Sequence, residues 1–72
     1  MTETMPESFE RVAKAFHEAY EELAPNFGYK TREASAKPWE DVPVDNKELM
    51  KATIEKVYLD GHIAIAYTKE QL

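Results

Sequence analysis

Apolar side chains recur every three or four residues through the first third of the chain, which is the spacing of one face of an α-helix. Thr4 and Glu7 have the spacing of a capping box, and Pro6 is tolerated in a first helical turn because its missing N–H has no partner there. The pattern predicts an amphipathic helix over residues 6–23, ended by the turn at Gly28. Its apolar face consists of Phe9, Val12, Ala13, Phe16, Tyr20 and Leu23.

A second stretch with helical spacing covers residues 46–59. Its apolar side chains fall on one face, while lysines and glutamates occupy most of the remainder. Asp45 and Glu48 have the spacing of another capping box, and Asp60 with Gly61 is typical of a helix end. Two amphipathic helices of this kind predict a mainly α fold class.

The connection between the helices, residues 25–45, is longer than a plain helical hairpin requires. Within it, Pro38 to Asp41 predicts one short helical turn, which Pro43 prevents from continuing. After the second helix, residues 62–68 alternate bulky and small apolar side chains, which fits either a strand or a short third helix. A lone strand is unstable, so an extended tail predicts pairing with a second copy.

Seventy-two residues make one small domain, 1–72, and such a chain hides only about 60% of the surface that its unfolded form exposes. Because pairing covers apolar area that a single copy exposes, we expect a homodimer or a higher assembly. The absence of cysteine excludes disulfides and thiolate chemistry. An acidic start without a long apolar run predicts neither export nor membrane spanning, and hence a cytoplasmic location.

Negative charge predominates, with a formal net charge of −5 at pH 7, and this opposes binding to a phosphate backbone. The exception is the segment 25–38, where Lys30, Arg32 and Lys37 outnumber Glu33. A basic segment therefore separates two acidic ones. We expect no nucleic-acid partner and no membrane partner, but the basic segment is a candidate for binding a smaller anion.

Catalytic signatures are missing from the sequence. With only two glycines there is no phosphate-binding loop, and no serine has the setting of a nucleophile elbow. His17 and Glu21 lie one helical turn apart, but a metal site normally takes three or four ligands, and the other histidine, His62, is far along the chain. We expect a structural or hydrogen-bonding role for His17, no enzyme activity, no catalytic residue, no metal and no cofactor.

The basic segment also carries aromatic side chains. Tyr29, Lys30 and Arg32 are close neighbours, and Trp39 follows them. Aromatic faces and paired donors are what a planar base attached to phosphate requires. The alternative is that Phe27, Tyr29 and Trp39 close the open end of a two-helix core while the cations face water, and aromatics in very small domains more often serve this purpose.

Four blocks of the sequence carry a resemblance to a known family: His17-Glu18-Ala19-Tyr20, Phe27-Gly28-Tyr29, Thr31-Arg32 and Pro38-Trp39-Glu40-Asp41-Val42-Pro43. Together with Asn46 and the second helix, they resemble a ryanodine-receptor-repeat (RyR) domain over about residues 9–59. The pattern is also similar to that of short uncharacterised proteins of tailed bacteriophages. Only one half of a full repeat is present.

The resemblance implies a helical ligand-binding module that sequesters a nucleotide-derived host signal, of the ADP-ribose or cyclic-nucleotide type. Lys30 and Arg32 would hold phosphate, and Tyr29 or Trp39 would stack on the base. His17 with Glu18 would bond the ribose or the ring edges. The ligand-binding residues so expected are His17, Glu18, Tyr20, Tyr29, Lys30, Arg32, Trp39, Glu40 and Asp41.

A second hypothesis does not depend on the resemblance. An acidic helical protein can dock on a host protein, for instance a basic one, through its glutamate-rich faces and thereby inhibit it. A scaffold that only dimerises is a third possibility. Nucleotide binding predicts that Arg32→Ala and Trp39→Ala abolish affinity for the ligand and leave the chain folded. If Trp39→Ala instead unfolds the chain, and no nucleotide raises its melting temperature, Trp39 belongs to the core.

Overall fold

Two α-helices account for most of the structure. The computed structural model describes residues 3–30 and 36–66, and within them lie α1 (Met5–Leu23) and α2 (Val44–Leu59). No strand occurs in these two ranges. The mainly helical fold class predicted from the periodicity is confirmed. In the described part of the chain, neither helix combines the length and apolar character needed to cross a bilayer.

The start of α1 forms the expected capping box. The Thr4 hydroxyl accepts a hydrogen bond from the backbone N–H of Glu7, and the Glu7 carboxylate accepts one from the backbone N–H of Thr4, both at 3.2 Å. These two bonds satisfy donors that a helix N-terminus otherwise leaves without partners. The helix therefore begins where its local sequence predicts.

The start of α2 differs from the prediction. The expected capping box of Asp45 and Glu48 is wrong, because the helix begins two residues earlier, at Val44, with Pro43 as its N-cap and no side-chain cap. The backbone N–H of Lys47 bonds to the carbonyl of Pro43 at 3.0 Å and closes the first turn. Asp45 consequently lies inside that turn, where its negative charge interacts favourably with the positive end of the helix dipole.

Short 3₁₀ turns adjoin both helices. The first, Ala24–Phe27, continues directly from α1 and ends at Gly28, whose φ of 78° is accessible to glycine without strain. The second, Trp39–Asp41, precedes α2 and follows Pro38. It forms at the position where the sequence predicts a short helical turn. Each turn redirects the chain at one end of the connection between the helices.

The core lies where α2 runs back along the N-terminal part of α1. The Phe9 and Tyr58 rings meet edge to face, with centroids 5.8 Å apart, and Lys51 lies 3.6 Å from a carboxylate oxygen of Glu10. Residues near the end of α2 therefore contact the start of α1, so the helices are antiparallel. The buried core cluster consists of Phe9, Ala13, Trp39 and Ile54.

The tail after α2 contacts both the core cluster and α1. His62 to Ala66 form neither a helix nor a strand, so the expected third element is not present there, and residues 67 and 68 lie outside the described residues. Ile65 packs against the core cluster, and the carbonyl of Ala66 accepts a hydrogen bond from the guanidinium of Arg11. A side-chain donor on α1 thus satisfies the tail backbone at this point.

The guanidinium of Arg11 also binds the segment before α1. Its Nε and Nη2 atoms donate to the two carboxylate oxygens of Glu3 at 2.8 and 3.0 Å, and the fully buried Ser8 hydroxyl donates to the same carboxylate at 2.8 Å. Hydrogen bonds from Arg11 and then from Ser8 hold the pKa of the Glu3 carboxyl below its ordinary value. We call Glu3, Ser8, Arg11 and the Ala66 carbonyl the terminal clasp.

Candidate functional site

Trp39 belongs to the core and not to an open platform. Its side chain is 5% exposed; the His17 ring lies 5.9 Å away, and the ammonium of Lys47 sits 5.6 Å from the indole centroid. The core interpretation of the loop aromatics therefore describes Trp39 correctly. It does not describe Phe27 and Tyr29, which are 74% and 68% exposed. An indole so enclosed has no free face for a nucleotide base, so stacking on Trp39 has no place in this structure.

His17 anchors the returning loop to α1. The ring is 4% exposed, and its Nε2 lies 2.6 Å from the carbonyl oxygen of Lys37. Because a carbonyl can only accept, Nε2 must carry the hydrogen. This bond brings Pro38 and Trp39 to the core, which gives His17 a structural role. Among the described residues, no group of three or more potential metal ligands is assembled.

The other expected ligand-binding residues lie on the surface and in different places. Glu18, Tyr20, Tyr29, Lys30, Glu40 and Asp41 are exposed, and Arg32 lies outside the described residues. The ammonium of Lys14 lies 3.5 Å from the Glu40 carboxylate. The pKa of Glu40 is below its ordinary value because of a hydrogen bond from its own backbone N–H and, after that, the charge of Lys14. Of the whole set, the structure brings His17 together with Trp39 in the core, His17 with Glu18 beside it, and Tyr20 with Tyr29.

Tyr20 and Tyr29 meet in a concavity that we call the apolar groove. Its volume is about 460 Å³. The rings of Phe16 and Tyr20 stack along one wall, with centroids 6.1 Å apart and planes 20° from parallel. The groove is lined by Phe16, Ala19, Tyr20, Leu23, Ala24, Phe27 and Tyr29.

The apolar groove exists because the chain bends back just after α1. Pro25 lies within the first 3₁₀ turn, and Gly28 supplies the left-handed residue that reverses the backbone. The backbone N–H of Tyr29 then bonds to the carbonyl of Ala24 at 3.1 Å. This arrangement places Phe27 and Tyr29 beside the last two turns of α1, where Leu23 is 50% exposed.

Sequence reasoning placed Phe16 and Leu23 on the apolar face of the first helix and did not include them among the functional residues. The signal that could have identified them is helix length. At 1.5 Å per residue, the 19 residues of α1 span about 28 Å and the 16 of α2 about 24 Å. An apolar stripe that runs the whole length of the longer helix extends beyond its shorter partner unless another segment covers it.

A second concavity of about 490 Å³, which we call the charged groove, lies beside His17 and mixes charged with apolar side chains. It is lined by His17, Glu18, Glu21, Pro25, Ala36, Lys37 and Pro38. Two carboxylates stand here against one ammonium, a charge balance that opposes a phosphate group. The histidine is already engaged with the loop carbonyl. Among its described residues, the charged groove therefore lacks the cluster of donors that a nucleotide phosphate requires.

Comparison with family models, with curated proteins and with solved structures gave no match to this chain. The resemblance to RyR domains and to small phage proteins consequently stays a prediction. A proposal of function for this chain therefore rests on the geometry of the two grooves and on the exposure and charge of the residues around them.

Proposed function

We propose that this chain is a protein-binding module that receives a segment of another protein in the apolar groove. The observation that carries the proposal is a continuous exposed apolar surface made by two turns of α1 and the reversed chain after it. The proposal keeps the hypothesis of a docking protein but uses the apolar groove as the contact surface in place of the glutamate-rich faces. If the chain is encoded by a phage, as the resemblance implies, the partner is a host protein.

Exposure of this kind is costly unless it is covered. Phe16 is 60% exposed and Tyr20 is 52% exposed, although they stack on each other. Scattered exposed apolar residues are ordinary, but contiguous ones bordered by charges are characteristic of interaction sites. Aromatic residues are also the type most enriched where protein interfaces bury their centres. A docking function therefore accounts for side chains that contribute little to the core.

The test compares exposed apolar residues that line the groove with an exposed leucine that does not. We expect peptide display on the wild-type chain to enrich binders that are lost on the Phe16→Ser/Leu23→Ser double variant. The matched control is Leu49→Ser, because Leu49 is 67% exposed on α2 and does not line the groove. It should retain the wild-type binders. Circular dichroism checks that all three chains are folded.

Enrichment that survives in the double variant would contradict docking in the groove. Absence of any enrichment on the wild-type chain would contradict it equally. Loss of binding in the Leu49→Ser control would place the interaction on α2.

Binding of a nucleotide-type small molecule is the second candidate. Two observations favour it: the groove volume of about 460 Å³ lies in the range of roughly 300–1,000 Å³ typical of small-molecule sites, and Lys30 follows the exposed Tyr29 at its edge. A base would then stack on Tyr29, with its phosphate toward Lys30. Among the described residues that line the groove, however, none is a cation.

Thermal shift with ADP-ribose and with cyclic nucleotides tests this candidate. Specific binding would raise the melting temperature of the wild-type chain and leave that of Tyr29→Ser unchanged. An unaltered wild-type melting temperature at millimolar nucleotide would rule the candidate out. The docking proposal does not depend on that result.

A further inference from the structure

We propose that the apolar groove is closed by the same surface of a second copy of the chain until a partner segment arrives, so that pairing and docking exclude each other. The mutual exclusion rests on the proposed docking function, whereas the pairing does not. Two features of the groove support the pairing: the apolar area that it exposes, and the symmetry of the side chains along α1.

The groove exposes enough apolar surface for a contact between two copies. Because a buried aromatic residue covers about 150–250 Å², the exposed parts of its side chains amount to roughly 600 Å² in one copy. Two copies then contribute roughly 1,200 Å², the lower end of the range for stable protein interfaces. We therefore expect weak, reversible pairing. The contributing side chains, each at least half exposed, are Phe16, Tyr20, Leu23, Phe27 and Tyr29.

The part of α1 that lines the groove has the same spacing in both directions along the helix. Its residues Phe16, Ala19, Tyr20 and Leu23 follow each other at intervals of three, one and three positions. An antiparallel second copy therefore presents a matching stripe, in which Phe16 meets Leu23 of that copy and Ala19 meets its Tyr20. A small side chain then faces a large one, as closely packed helices require. This self-complementarity is what a two-fold contact between identical chains needs.

The negative charge of the chain lies at the rim of this contact. The described side chains that line the groove are all uncharged, and the exposed Glu22 lies three residues after Ala19, beside the stripe. In the antiparallel arrangement the two copies of Glu22 are about 7.5 Å apart along the helix axes. Salt screens exposed charges over about 8 Å at physiological ionic strength. The net charge of −5 therefore weakens the pairing, which should tighten as salt is added.

Weak pairing makes the availability of the groove depend on the concentration of the chain. In dilute solution the copies are separate and the groove is open to a partner segment. In concentrated solution a second copy covers the same side chains, and a partner must displace it. Binding to the groove is then in competition with self-association by mass action.

The first experiment measures the mass of the chain by sedimentation over about 1–500 μM, the range in which weak interfaces dissociate. We expect the wild-type chain to change from 8.3 kDa to twice that mass as its concentration rises. Leu23→Ser should weaken the pairing by about thirtyfold or more, because a symmetric contact loses the side chain twice. Leu49→Ser is the matched control, since Leu49 is exposed on α2 outside the groove. Circular dichroism checks that each variant is folded.

A second experiment tests the antiparallel arrangement by cross-linking. The chain contains no cysteine, so a single introduced thiol reports only on the contact between copies. Ala19 lies next to the two-fold axis of the proposed pair, where a residue approaches its own copy closely enough for a disulfide. Ala19→Cys should therefore form a covalent dimer under mild oxidation. The control is Leu49→Cys, which should cross-link no faster than random collisions allow.

The outcomes separate the pairing from the docking function. An 8.3 kDa species at every concentration would overturn the pairing, and peptides that still require Phe16 and Leu23 would then leave docking intact. A dimer that persists in Leu23→Ser, or that cross-links equally through Leu49→Cys, would also overturn it. A groove-dependent peptide added to the paired chain should release single copies, and one that binds without releasing them would overturn the mutual exclusion. Pairing without any groove-dependent peptide would support the pairing and contradict the docking function.

Discussion

The two halves of α1 carry the same apolar pattern and have opposite surroundings. In the first half, Phe9 is 8% exposed and Ala13 is 1% exposed, because α2 packs over them. In the second half, Phe16, Tyr20 and Leu23 are each at least 50% exposed. The change from buried to exposed apolar side chains occurs within one helix, between Ala13 and Phe16.

This contrast teaches that helical periodicity defines a face but not what covers it. Burial of an apolar side chain requires a neighbouring element of matching length and position. Here α2 is the shorter helix and packs on the first half of α1. The second half is left to the chain reversal after Leu23, and we assign it to a partner.

The largest expected effect comes from a matched pair of phenylalanines on α1. Phe9→Ala should lower the free energy of unfolding by about 3–5 kcal/mol, because it leaves a cavity beside Ile54 and Trp39 in the core cluster. Phe16→Ala should lower it by no more than about 1 kcal/mol, since the ring is mostly exposed. Urea unfolding followed by circular dichroism measures both. Equal losses for the two variants would show that the second half of α1 is covered.

His17 lies between the two halves, and its removal should have an intermediate effect. His17→Leu keeps an apolar volume in the core but loses the bond to the Lys37 carbonyl, which should cost about 1 kcal/mol. Faster amide hydrogen exchange around Trp39 should accompany the loss. The matched control is His62→Leu, because His62 is exposed and its substitution should change stability by less than about 0.5 kcal/mol. An unchanged exchange rate near Trp39 would contradict the anchoring role.

The smallest expected effect concerns the terminal clasp, whose contribution to stability is lost at acidic pH. The pKa of Glu3 is lower folded than its ordinary value of 4.5, so the terminal clasp contributes stability above that pH and loses it as the pH falls through the folded pKa. Glu3→Gln should therefore be less stable than the wild type at pH 7, with the difference narrowing on acidification. Thermal melts between pH 7 and pH 3 measure this.

Glu55→Gln serves as the control, because Glu55 is an exposed carboxylate on α2 outside the clasp. Its difference from the wild type should not follow the same pH dependence. A Glu3→Gln difference that stays constant down to pH 3 would contradict the proposed contribution of the Arg11 and Ser8 hydrogen bonds.

Local interactions made parts of this structure predictable. The capping box of Thr4 and Glu7 depends on residues three apart, and the predicted short turn after Pro38 depends on the rigid proline ring. The start of α2 was not predictable in the same way, because Pro43 and Asp45 are both plausible helix starts and the chain uses the proline. Competing local signals of similar strength leave a boundary open.

The candidate site was harder to predict because it depends on contacts between distant residues. Trp39 could equally have faced solvent; its burial follows from the His17 bond to Lys37 and from the space beside Ala13. Tyr29 carries the same kind of aromatic side chain ten residues earlier and is exposed. Sequence reasoning identified the aromatic, basic loop as important, but it could not separate the aromatic that enters the core from those that line a groove.

By itself, the sequence determined that the chain forms two helices and carries a negative net charge, because helix formation and net charge follow from residues that are near one another or simply counted. Only the tertiary structure decided which aromatics are buried and which half of α1 remains open. The physical reason is that burial depends on the length and packing direction of α2 and on single long-range bonds such as that of His17. None of these is encoded in the periodicity of one segment.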